Sequence, residues 1–356
     1  MTKVKIYGAG SIGNHYAYAC YEKGWNVTVT DKDPVALERM RNKIFPSRYG
    51  FWDTGINLEL NNNNNNYFDI IIIGTPPESH LKIAIKILKS KNKPRILQIE
   101  KPLCTPDLKY LDEFNLLRKK NKDVQIFGGY NHLLTQNTLL SEKIIKNEKF
   151  GEVLGLNSYN NEDWTTIFNA HFWLKSPKES YLGFYKKGGG ALCEHSHALS
   201  AWLHYSNYLK LGKLDKVMSK IKLKKINKMH YDESATVILQ TNKKFVGTVS
   251  QDVITFPSEK KVRIQFSNGY LETYINYDKD NDAVIFACNK KQRKYLIKKK
   301  RPDDFLGVIN HLDKAIKEKN LYKASPISIS RSIDTMKVIQ SAFLSNKLSR
   351  EIKIKI

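Results

Sequence analysis

The fold is decided near the amino terminus by the stretch V-K-I-Y-G-A-G-S-I-G at residues 4–13. Its first four residues favour a β-strand, and glycines in the spacing G-x-G-x-x-G follow at once. Gly8 permits a tight turn, Gly10 lets a ligand phosphate approach the backbone, and Gly13 lets the next helix pack closely on the strand. A helical pattern from about residue 12 to residue 23 follows. The stretch therefore predicts a strand, a phosphate-binding turn and a helix.

The next strand completes a dinucleotide-binding pattern. Residues 26–30, N-V-T-V-T, are mostly β-branched and end at Asp31, about 18 residues after Gly13. A carboxylate at this distance accepts from the ribose 2′-hydroxyl of NAD and repels the 2′-phosphate of NADP. The neighbouring Lys32 leaves NADP open. We therefore predict a nicotinamide cofactor, with NAD favoured.

Further strand ends are expected to reach the same cofactor. A predicted strand over residues 68–74 is followed by T-P-P-E-S-H at 75–80, and a strand over 95–100 is followed by Lys101. Loops after the carboxyl ends of parallel strands gather around the ligand, so we expect these loops in one crevice. The predicted cofactor-binding residues are Gly8, Gly10, Ser11, Ile12, Gly13, Asp31, Thr75, Pro76, His80 and Glu100.

The second half of the chain predicts an antiparallel sheet with peripheral helices. Its strand-like segments alternate or are β-rich, and turn signals such as Asn268-Gly269 separate them. The predicted strands span residues 152–159, 233–241, 244–253, 261–267 and 269–277, and the predicted helices span 304–317 and 331–345. We therefore predict an α/β Rossmann domain with a doubly wound parallel sheet over residues 1–128. An α+β domain with an open, mainly antiparallel sheet is predicted over residues 129–356.

Composition limits the classes of protein that fit. The chain has 356 residues, 41% of them hydrophobic and 26% charged, which is typical of two globular domains. The net charge of +24 could attract a polyanion. However, the lysines are spread along the chain, and the densest clusters, at 220–228 and 290–301, carry no nucleic-acid motif. We expect a solvated basic surface and no nucleic-acid partner. Residues 45–67, including the run Asn61 to Asn66, are expected to form an irregular loop.

Cysteine usage and hydropathy favour a cytoplasmic protein. The four cysteines are scattered without a C-x-x-C pair, which is typical of reduced thiols. The chain enters a strand directly, without a signal peptide, and no apolar run approaches the ~20 residues that span a bilayer. Glu194-His195 lacks the second histidine of an H-E-x-x-H site, because Ala198 stands in its place. We therefore expect no membrane partner and no metal.

Four motifs, in order, resemble those of one known family. They are G-A-G-S-I-G at 8–13, G-T-P-P-E-S-H at 74–80, E-K-P at 100–102 and G-G-G-A-L-C-E-H-S-H at 188–197. Together they resemble the glucose–fructose oxidoreductase / inositol dehydrogenase / rhizopine-catabolism (Gfo/Idh/MocA) family, over essentially the whole chain. The resemblance implies an NAD(P)-dependent oxidoreductase that acts on a hydroxyl carbon of a sugar, sugar-nucleotide or cyclitol. It also implies a homodimer or homotetramer in contact through the second domain's sheet.

Hydride transfer needs one group to stabilise charge on the substrate oxygen and one to exchange its proton. Lys101 matches the family's catalytic or substrate-positioning lysine. His197 suits proton exchange, because histidine has an unperturbed pKa near ~6.5. Glu194, three residues earlier on the same predicted helix, is expected to orient it or to bind substrate. This interpretation requires the nicotinamide to lie between Lys101 and His197. Glu194 departs from the family's commoner Asp, and Ser200 from the acid that often follows this His.

Substrate contacts are expected mainly from polar and aromatic side chains. Leu133 and Leu134 occupy positions where relatives often have an Arg, so no substrate carboxylate is expected there. The aromatic-rich stretch over residues 163–187 suits a sugar ring, although ordinary loop packing accounts for it equally well. The predicted substrate-binding residues are Lys101, Asn131, Trp173, Tyr185 and His197.

Two other functions stay open at the level of sequence. Some relatives use tightly held NAD to cleave a glycoside without net redox change. A non-catalytic dinucleotide sensor or polyanion-binding protein would account for the charge of +24.

Overall fold

The structure is a computed structural model that describes residues 1–60, 66–169, 171–300, 302–318 and 321–354. The chain forms two compact units, each built from several segments. The first comprises Met1–Cys104, Lys109–Asn131 and Arg301–Ile329, and the second comprises Thr105–Leu108, His132–Lys300 and Ser330–Ile356.

The described residues form strands β1–β15 and α-helices α1–α12. The strands are β1 (Lys3–Tyr7), β2 (Asn26–Asp31), β3 (Ile56–Leu60), β4 (Ile70–Ile73), β5 (Ile96–Ile99), β6 (Gln125–Gly128), β7 (Val153–Asn161), β8 (Leu214–Ile226), β9 (Met229–Thr241), β10 (Val246–Asp252), β11 (Glu259–Phe266), β12 (Gly269–Tyr274), β13 (Asn281–Cys288), β14 (Lys291–Lys298) and β15 (Ile352–Lys353). The α-helices are α1 (Ser11–Glu22), α2 (Pro34–Arg39), α3 (Phe45–Tyr49), α4 (Pro77–Lys89), α5 (Leu111–Lys120), α6 (Gln136–Asn147), α7 (Trp164–Asn169), α8 (Gly190–Glu194), α9 (His197–Tyr208), α10 (Asp303–Lys317), α11 (Leu321–Ala324) and α12 (Ile329–Leu348).

The first unit contains a six-stranded parallel sheet in the order β3-β2-β1-β4-β5-β6. This is the strand order of the Rossmann fold. The inner strands β4 and β5 are buried at every position, as expected for strands of a parallel sheet that helices cover on both faces. The predicted doubly wound α/β fold is confirmed.

The loop predicted over residues 45–67 is wrong in part. Helix α3 and strand β3 lie inside it, and β3 pairs with β2 at the edge of the sheet. Only Ile56 of β3 is buried, because an edge strand has few neighbours, so its hydrophobic signal in the sequence is weak. Of the asparagine run, residues 61–65 lie outside the described part, and Asn66 is exposed.

The carboxyl-terminal helix α10 belongs to the first unit, so the single boundary predicted after residue 128 does not describe how the chain divides into compact units. Phe305 of α10 stacks on His15 of α1 at 4.6 Å between ring centroids and meets Tyr16 edge-on at 5.1 Å. The amphipathic pattern of α10 predicted a helix correctly. Periodicity gives an apolar face, however, and does not say which element that face covers.

The second unit contains a nine-stranded sheet in the order β14-β13-β12-β11-β7-β10-β9-β8-β15. All neighbours are antiparallel except β7 and β10, which confirms the predicted mainly antiparallel sheet. The lysine-rich segments expected only as solvated surface contain two strands, β8 and β14. Buried and exposed residues alternate over residues 217–222 of β8, and β14 is an exposed edge strand, where charge is common.

The glycines of the first turn should respond very differently to substitution. A Cβ added at Gly13 would overlap the carbonyl oxygen of Gly8, whereas one added at Gly10 would meet no atom within 4 Å. We expect Gly13→Ala to lower the free energy of unfolding by about 2 kcal/mol or more, because a backbone oxygen cannot move aside cheaply.

Gly10→Ala is the matched control and should unfold within about 0.5 kcal/mol of the wild type. Denaturant unfolding of the three proteins measures this difference. Equal stability of the two variants would mean that α1 does not pack on β1 as closely as described.

Candidate functional site

The turn after β1 has the geometry that its glycines predict. Gly8 has a φ of +104°, and its amide donates to the carbonyl oxygen of Thr30 at 2.8 Å. A Cβ at Gly8 would lie 2.8 Å from the carbonyl oxygen of Gly74, and the Cβ of an alanine at residue 13 would overlap Gly8. Neither Gly8 nor Gly13 therefore has room for a side chain. The turn, helix α1 and the residue after β4 contact one another through backbone atoms.

The amino terminus of α1 is a suitable site for a pyrophosphate. Gly10 is its N-cap residue, no side chain caps it, and its first turn holds no acidic residue. The amides of Ser11, Ile12 and Gly13 belong to the first turn, where an α-helix provides no acceptor. The space beside Gly10 is open to 4 Å. Free amides, the positive end of the helix dipole and an open approach are what a bound phosphate requires.

Asp31 lies at the carboxyl end of β2, beside this turn. Its Oδ2 accepts from the amide of Ala9 at 2.8 Å, and its Oδ1 accepts from the amide of Asp33 at 3.0 Å. The two bonds fix the carboxylate next to the helix terminus. The remaining lone pairs can accept from ribose hydroxyls.

Arg48 is a neighbour of this terminus that the sequence did not reveal. Its guanidinium donates to Ser11 Oγ at 2.9 Å and to the Ser11 carbonyl oxygen at 3.1 Å. It comes from α3, in the stretch predicted to be irregular. The arrangement adds positive charge beside the first turn of α1.

His80 lies between the loops that follow β4 and β5. Its Nδ1 lies 2.9 Å from the Pro102 carbonyl oxygen, and its Nε2 lies 2.6 Å from the Thr75 carbonyl oxygen. Burial lowers the pKa of His80 to about 4, although the two carbonyls favour the protonated ring. A neutral imidazole has a single N–H, so the ring donates to one of these two carbonyls, and any direct contact with a dinucleotide stays a prediction. Thr75 and Pro76 lie at the start of α4, where Pro76 is the N-cap residue.

Glu100 is buried directly before Lys101 at the end of β5. Its Oε1 accepts from the hydroxyl of Tyr16 at 2.7 Å, and a Cβ on Gly129 would lie 2.5 Å from that same oxygen. Burial and the nearby Glu100 raise the pKa of Tyr16 well above its usual value, so the phenol stays protonated and donates. Helix α1 thus holds the backbone that carries Lys101, whose side chain is partly exposed.

In the second unit, Glu194 and His197 do not share a helix. Glu194 ends α8, and His197 begins α9 after a turn at residues 195–196. The predicted single helix, and with it the argument that three-residue spacing puts both on one face, is wrong. The backbone of His195, at φ −94° and ψ 20°, leaves the helical region and separates the two helices. Glu194 accepts from the Tyr181 hydroxyl at 3.3 Å.

His197 lines a pocket in the second unit together with His132. The two imidazole rings stack at 3.9 Å between centroids, with 21° between their planes. The pocket measures about 420 Å³, counting the solvent space at its mouth. Its lining residues are His132, Leu133, Asn137, Thr138, Ser158, Tyr159, Asn160, His197, Ala198, Ala201, Tyr205, Lys260, Lys261, Val262, Thr273 and Ile275.

The other predicted substrate residues lie elsewhere among the described residues. Trp173 packs against Phe172 at 5.3 Å, and Tyr185 packs edge-on against His230 at 4.9 Å. Asn131 is buried at the start of a 3₁₀ turn. Their contact with a substrate stays a prediction. Within the described part of the chain, no group of three His, Cys, Asp or Glu side chains could hold a metal ion, and no helix is long and apolar enough to cross a membrane.

Asp232 supports the glycine turn that begins α8. Its Oδ2 accepts from the amide of Leu192 at 2.6 Å, and a Cβ on Gly190 would overlap its Oδ1. Burial raises the pKa of Asp232 to about 7. The folded protein therefore binds this proton more tightly than the unfolded chain does. This contribution to stability is complete below pH ~4 and is lost as the pH rises through about 7.

We expect Asp232→Asn to remove this pH dependence. Relative to the wild type, the variant should gain about 2–3 kcal/mol in the free energy of unfolding between pH 5 and pH 8. Urea unfolding across this pH range measures the difference, and the exposed Asp123→Asn serves as the control for a lost surface charge. Parallel curves for Asp232→Asn and the wild type would show that this carboxyl does not titrate as described.

Comparison with known proteins finds likeness in structure only. No profile of a known sequence family matches the chain, and no curated protein matches it significantly. Solved structures match over nearly the whole chain. Levoglucosan dehydrogenase in complex with NADH has a TM-score of 0.76 at 15% identity, over 99% of both chains. WlbA dehydrogenase from Bordetella pertussis, in complex with NADH and UDP-GlcNAcA, has a TM-score of 0.71 at 14% identity, over 99% of this chain and 98% of that one.

A candidate myo-inositol dehydrogenase from Sinorhizobium meliloti has a TM-score of 0.72 at 17% identity, over the full length of both chains. At such low identity the likeness establishes the fold and nothing finer. The chain therefore has the two-part fold of these dehydrogenases, in agreement with the Gfo/Idh/MocA resemblance of its motifs.

Proposed function

We propose that the protein is an NAD-dependent oxidoreductase of the Gfo/Idh/MocA type, which transfers a hydride between nicotinamide and a hydroxyl carbon of a sugar or cyclitol. The observation that carries the proposal is the uncapped amino terminus of α1, open beside Gly10 and flanked by the fixed carboxylate of Asp31. Structural neighbours that were crystallised with NADH support it.

Residues of the first unit suit the pyrophosphate and the adenosine ribose of the cofactor. The amides of Ser11, Ile12 and Gly13 would hold the pyrophosphate, and Arg48 adds a nearby positive charge. Asp31 would accept from the adenosine ribose and would repel a 2′-phosphate, which favours NAD over NADP. The exposed Lys32 is the residue that opposes this preference.

The end of β5 would present Lys101 to the substrate. Its ammonium would donate to the substrate oxygen and stabilise the negative charge that forms there as the hydroxyl proton is lost, which prepares the carbon to release its hydride. Glu100, Tyr16 and His80 do not react in this proposal. They fix the backbone on either side of Lys101, as their hydrogen bonds indicate, and small displacements of a catalytic group are costly in rate.

His197 would exchange the hydroxyl proton. An imidazole can accept this proton during oxidation and return it during reduction. The nicotinamide supplies the chemistry of hydride acceptance or donation when it is bound. Glu194 stays a proposed substrate ligand or orienting group, although the break between α8 and α9 removes the helical argument for its pairing with His197.

Lys101→Ala should abolish turnover while leaving the protein able to bind NADH. We expect kcat to fall by about 10²-fold or more, because one preorganised donor to a developing oxyanion is lost. The Kd for NADH should change by less than about threefold, since the phosphate and ribose contacts lie elsewhere. The exposed Lys91→Ala is the matched control and should match the wild type in both measurements.

The assay is NADH formation, followed by absorbance, with NAD and a panel of sugars and cyclitols. Turnover of a panel member by the wild type and by Lys91→Ala, but not by Lys101→Ala, is the expected result. Normal kcat in Lys101→Ala would reject the assigned role of this lysine. Failure of the wild type across a wide panel, with NADH bound, would count against the dehydrogenase. Product formed without net NADH would favour the redox-neutral glycosidase.

A further inference from the structure

Strand β14 leaves one edge of the second unit's sheet open. It lies at the end of the strand order, and no other strand of the described residues pairs with its outer side. At the opposite edge of the sheet, the carboxyl-terminal strand β15 pairs with part of β8. Seven of the eight residues of β14 are exposed. An open strand edge presents unpaired backbone N–H and C=O groups, to which another extended segment can bind.

The edge that β14 presents is long and regular. The whole strand pairs with β13 in one continuous register, from Lys291 opposite Cys288 to Lys298 opposite Asn281. It contains no proline and no bulge. Short strands, prolines, bulges and charged side chains are the usual features that keep a further strand from adding to an edge. Of these features β14 has only charge.

The ladder with β13 shows which backbone groups face the open edge. The amide of Lys299 donates to the carbonyl oxygen of Asp280 at 2.8 Å, on the side of β13. Residues along an antiparallel strand direct their N–H and C=O groups alternately toward the two sides of the strand. The backbone groups that point away from β13 are therefore those of Gln292, Lys294, Leu296 and Lys298.

Basic side chains accompany this edge on both faces of the sheet, because consecutive residues of a strand alternate between the faces. Residues 290–300 include no acidic residue, although the whole chain has 35 acidic residues beside its 59 basic ones. Lys299 pairs with the buried Asp282 at 3.3 Å. The basic residues of this segment are Lys290, Lys291, Arg293, Lys294, Lys298, Lys299 and Lys300.

Much of this charge is not compensated by the protein itself. Arg293 pairs with Glu148 at 3.3 Å, and more than half of its side chain is exposed. Among the described residues, Lys290, Lys291 and Lys298 form no ion pair, and all three are exposed. The uncompensated ammonium groups therefore lie directly beside unpaired backbone.

The charge determines which kind of segment can pair with β14. A second copy of β14 would bring like charges opposite one another, which is unfavourable between neighbouring strands. A segment with acidic residues would instead place carboxylates beside Lys294 and Lys298 on one face and Lys291 on the other. Tyr295 and Leu296, 42% and 53% exposed, add apolar area on the two faces. A nucleic acid could use the charge, but it lacks the regularly spaced amides and carbonyls that continue a ladder.

We propose that β14 binds an extended acidic segment of a partner protein, which adds to the sheet as a further strand. Backbone hydrogen bonds to the open edge bind any extended segment, and the basic side chains select an acidic one. The proposal is independent of the oxidoreductase reaction, since it uses neither the cofactor nor the pocket of His197. The sequence indicated the basic cluster at 290–301 and did not predict the strand edge within it.

Leu296→Pro tests the role of the backbone. It removes an amide from the open edge and none from the ladder with β13, and it leaves the charge of the strand unchanged. Leu296→Ala is the matched control for the lost side chain. The probe is a fluorescein-labelled peptide of about eight residues that alternates glutamate and valine, and fluorescence anisotropy of the full chain at physiological salt measures its Kd. Leu296→Pro should bind at least about tenfold more weakly than the wild type, and Leu296→Ala within about threefold of it.

A charge-reversal variant keeps the test decisive if the proline disturbs the strand. Lys291→Glu/Lys298→Glu changes only exposed side chains, so it should melt at the temperature of the wild type. It should bind the peptide at least about tenfold more weakly, because attraction across the strands becomes repulsion. Lys91→Glu/Lys120→Glu changes the net charge equally on the first unit and should stay within about threefold of the wild type.

A second peptide separates strand addition from attraction by charge alone. Replacing one central valine of the probe by proline keeps its charge and interrupts its pairing, so its binding to the wild type should be at least about tenfold weaker. Equal affinity for the two peptides, equal affinity of the two charge-reversal variants, or no binding of the acidic probe would overturn the proposal. Tighter binding of an oligouridylate than of the probe, or a dimer of this chain that Leu296→Pro dissociates, would also overturn it.

Discussion

The first unit depends on one close approach of backbone to backbone, where helix α1 crosses the turn after β1. Gly13 contacts the carbonyl of Gly8, and Gly8 contacts Gly74, with no room for a Cβ at either position. This contact directs the amino terminus of α1 toward the carboxyl edge of the sheet. The same helix carries Tyr16, which holds Glu100 at the end of β5. The proposed phosphate-binding terminus and the predicted catalytic lysine are thus held by one element.

The turn after β1 and the position of Asp31 could be predicted from the sequence, because residues close to them in the chain determine both. The spacing of three glycines, a strand before them and Asp31 after the next strand specify a turn whose geometry is sterically determined. Parallel pairing then brings the ends of β4 and β5 to the same edge. The two-part fold followed from the same patterns, with periodicity of about 3.6 in the helices and 2 in the strands.

What could not be predicted depends on contacts distant in sequence. Helix α10 returns to the first unit because Phe305 packs on His15, and nothing in its own periodicity names that partner. Strand β8 was missed because its lysines mask a partial two-residue alternation, and β14 was missed because its residues are almost all exposed and give no alternation. Arg48 reaches its position from a segment whose sequence shows only a loop. The break between α8 and α9 was not predicted, because the residue types at 195–196 are also compatible with a continuous helix.

The pocket of the second unit shows the same limit more sharply. Asn137, Ser158 and Asn160 come from a helix and a strand, and polar residues in such elements usually face water. Only the fold shows that they line the pocket of His197 and that an oxygen atom of each has no hydrogen-bond partner in the described part of the chain. A buried polar atom without a hydrogen-bond partner can be recognised only when all its neighbours in the fold are known.

The central claim is that a dinucleotide binds at the amino terminus of α1, and NADH affinity tests it most directly. Fluorescence titration of the wild type and of Gly10→Ala compares two proteins in which only the approach to this terminus differs. The account predicts saturable NADH binding by the wild type and at least about tenfold weaker binding by Gly10→Ala, since a methyl group would occupy the space beside the pyrophosphate. Equal affinity of the two proteins, or no binding of NADH by the wild type, would contradict it.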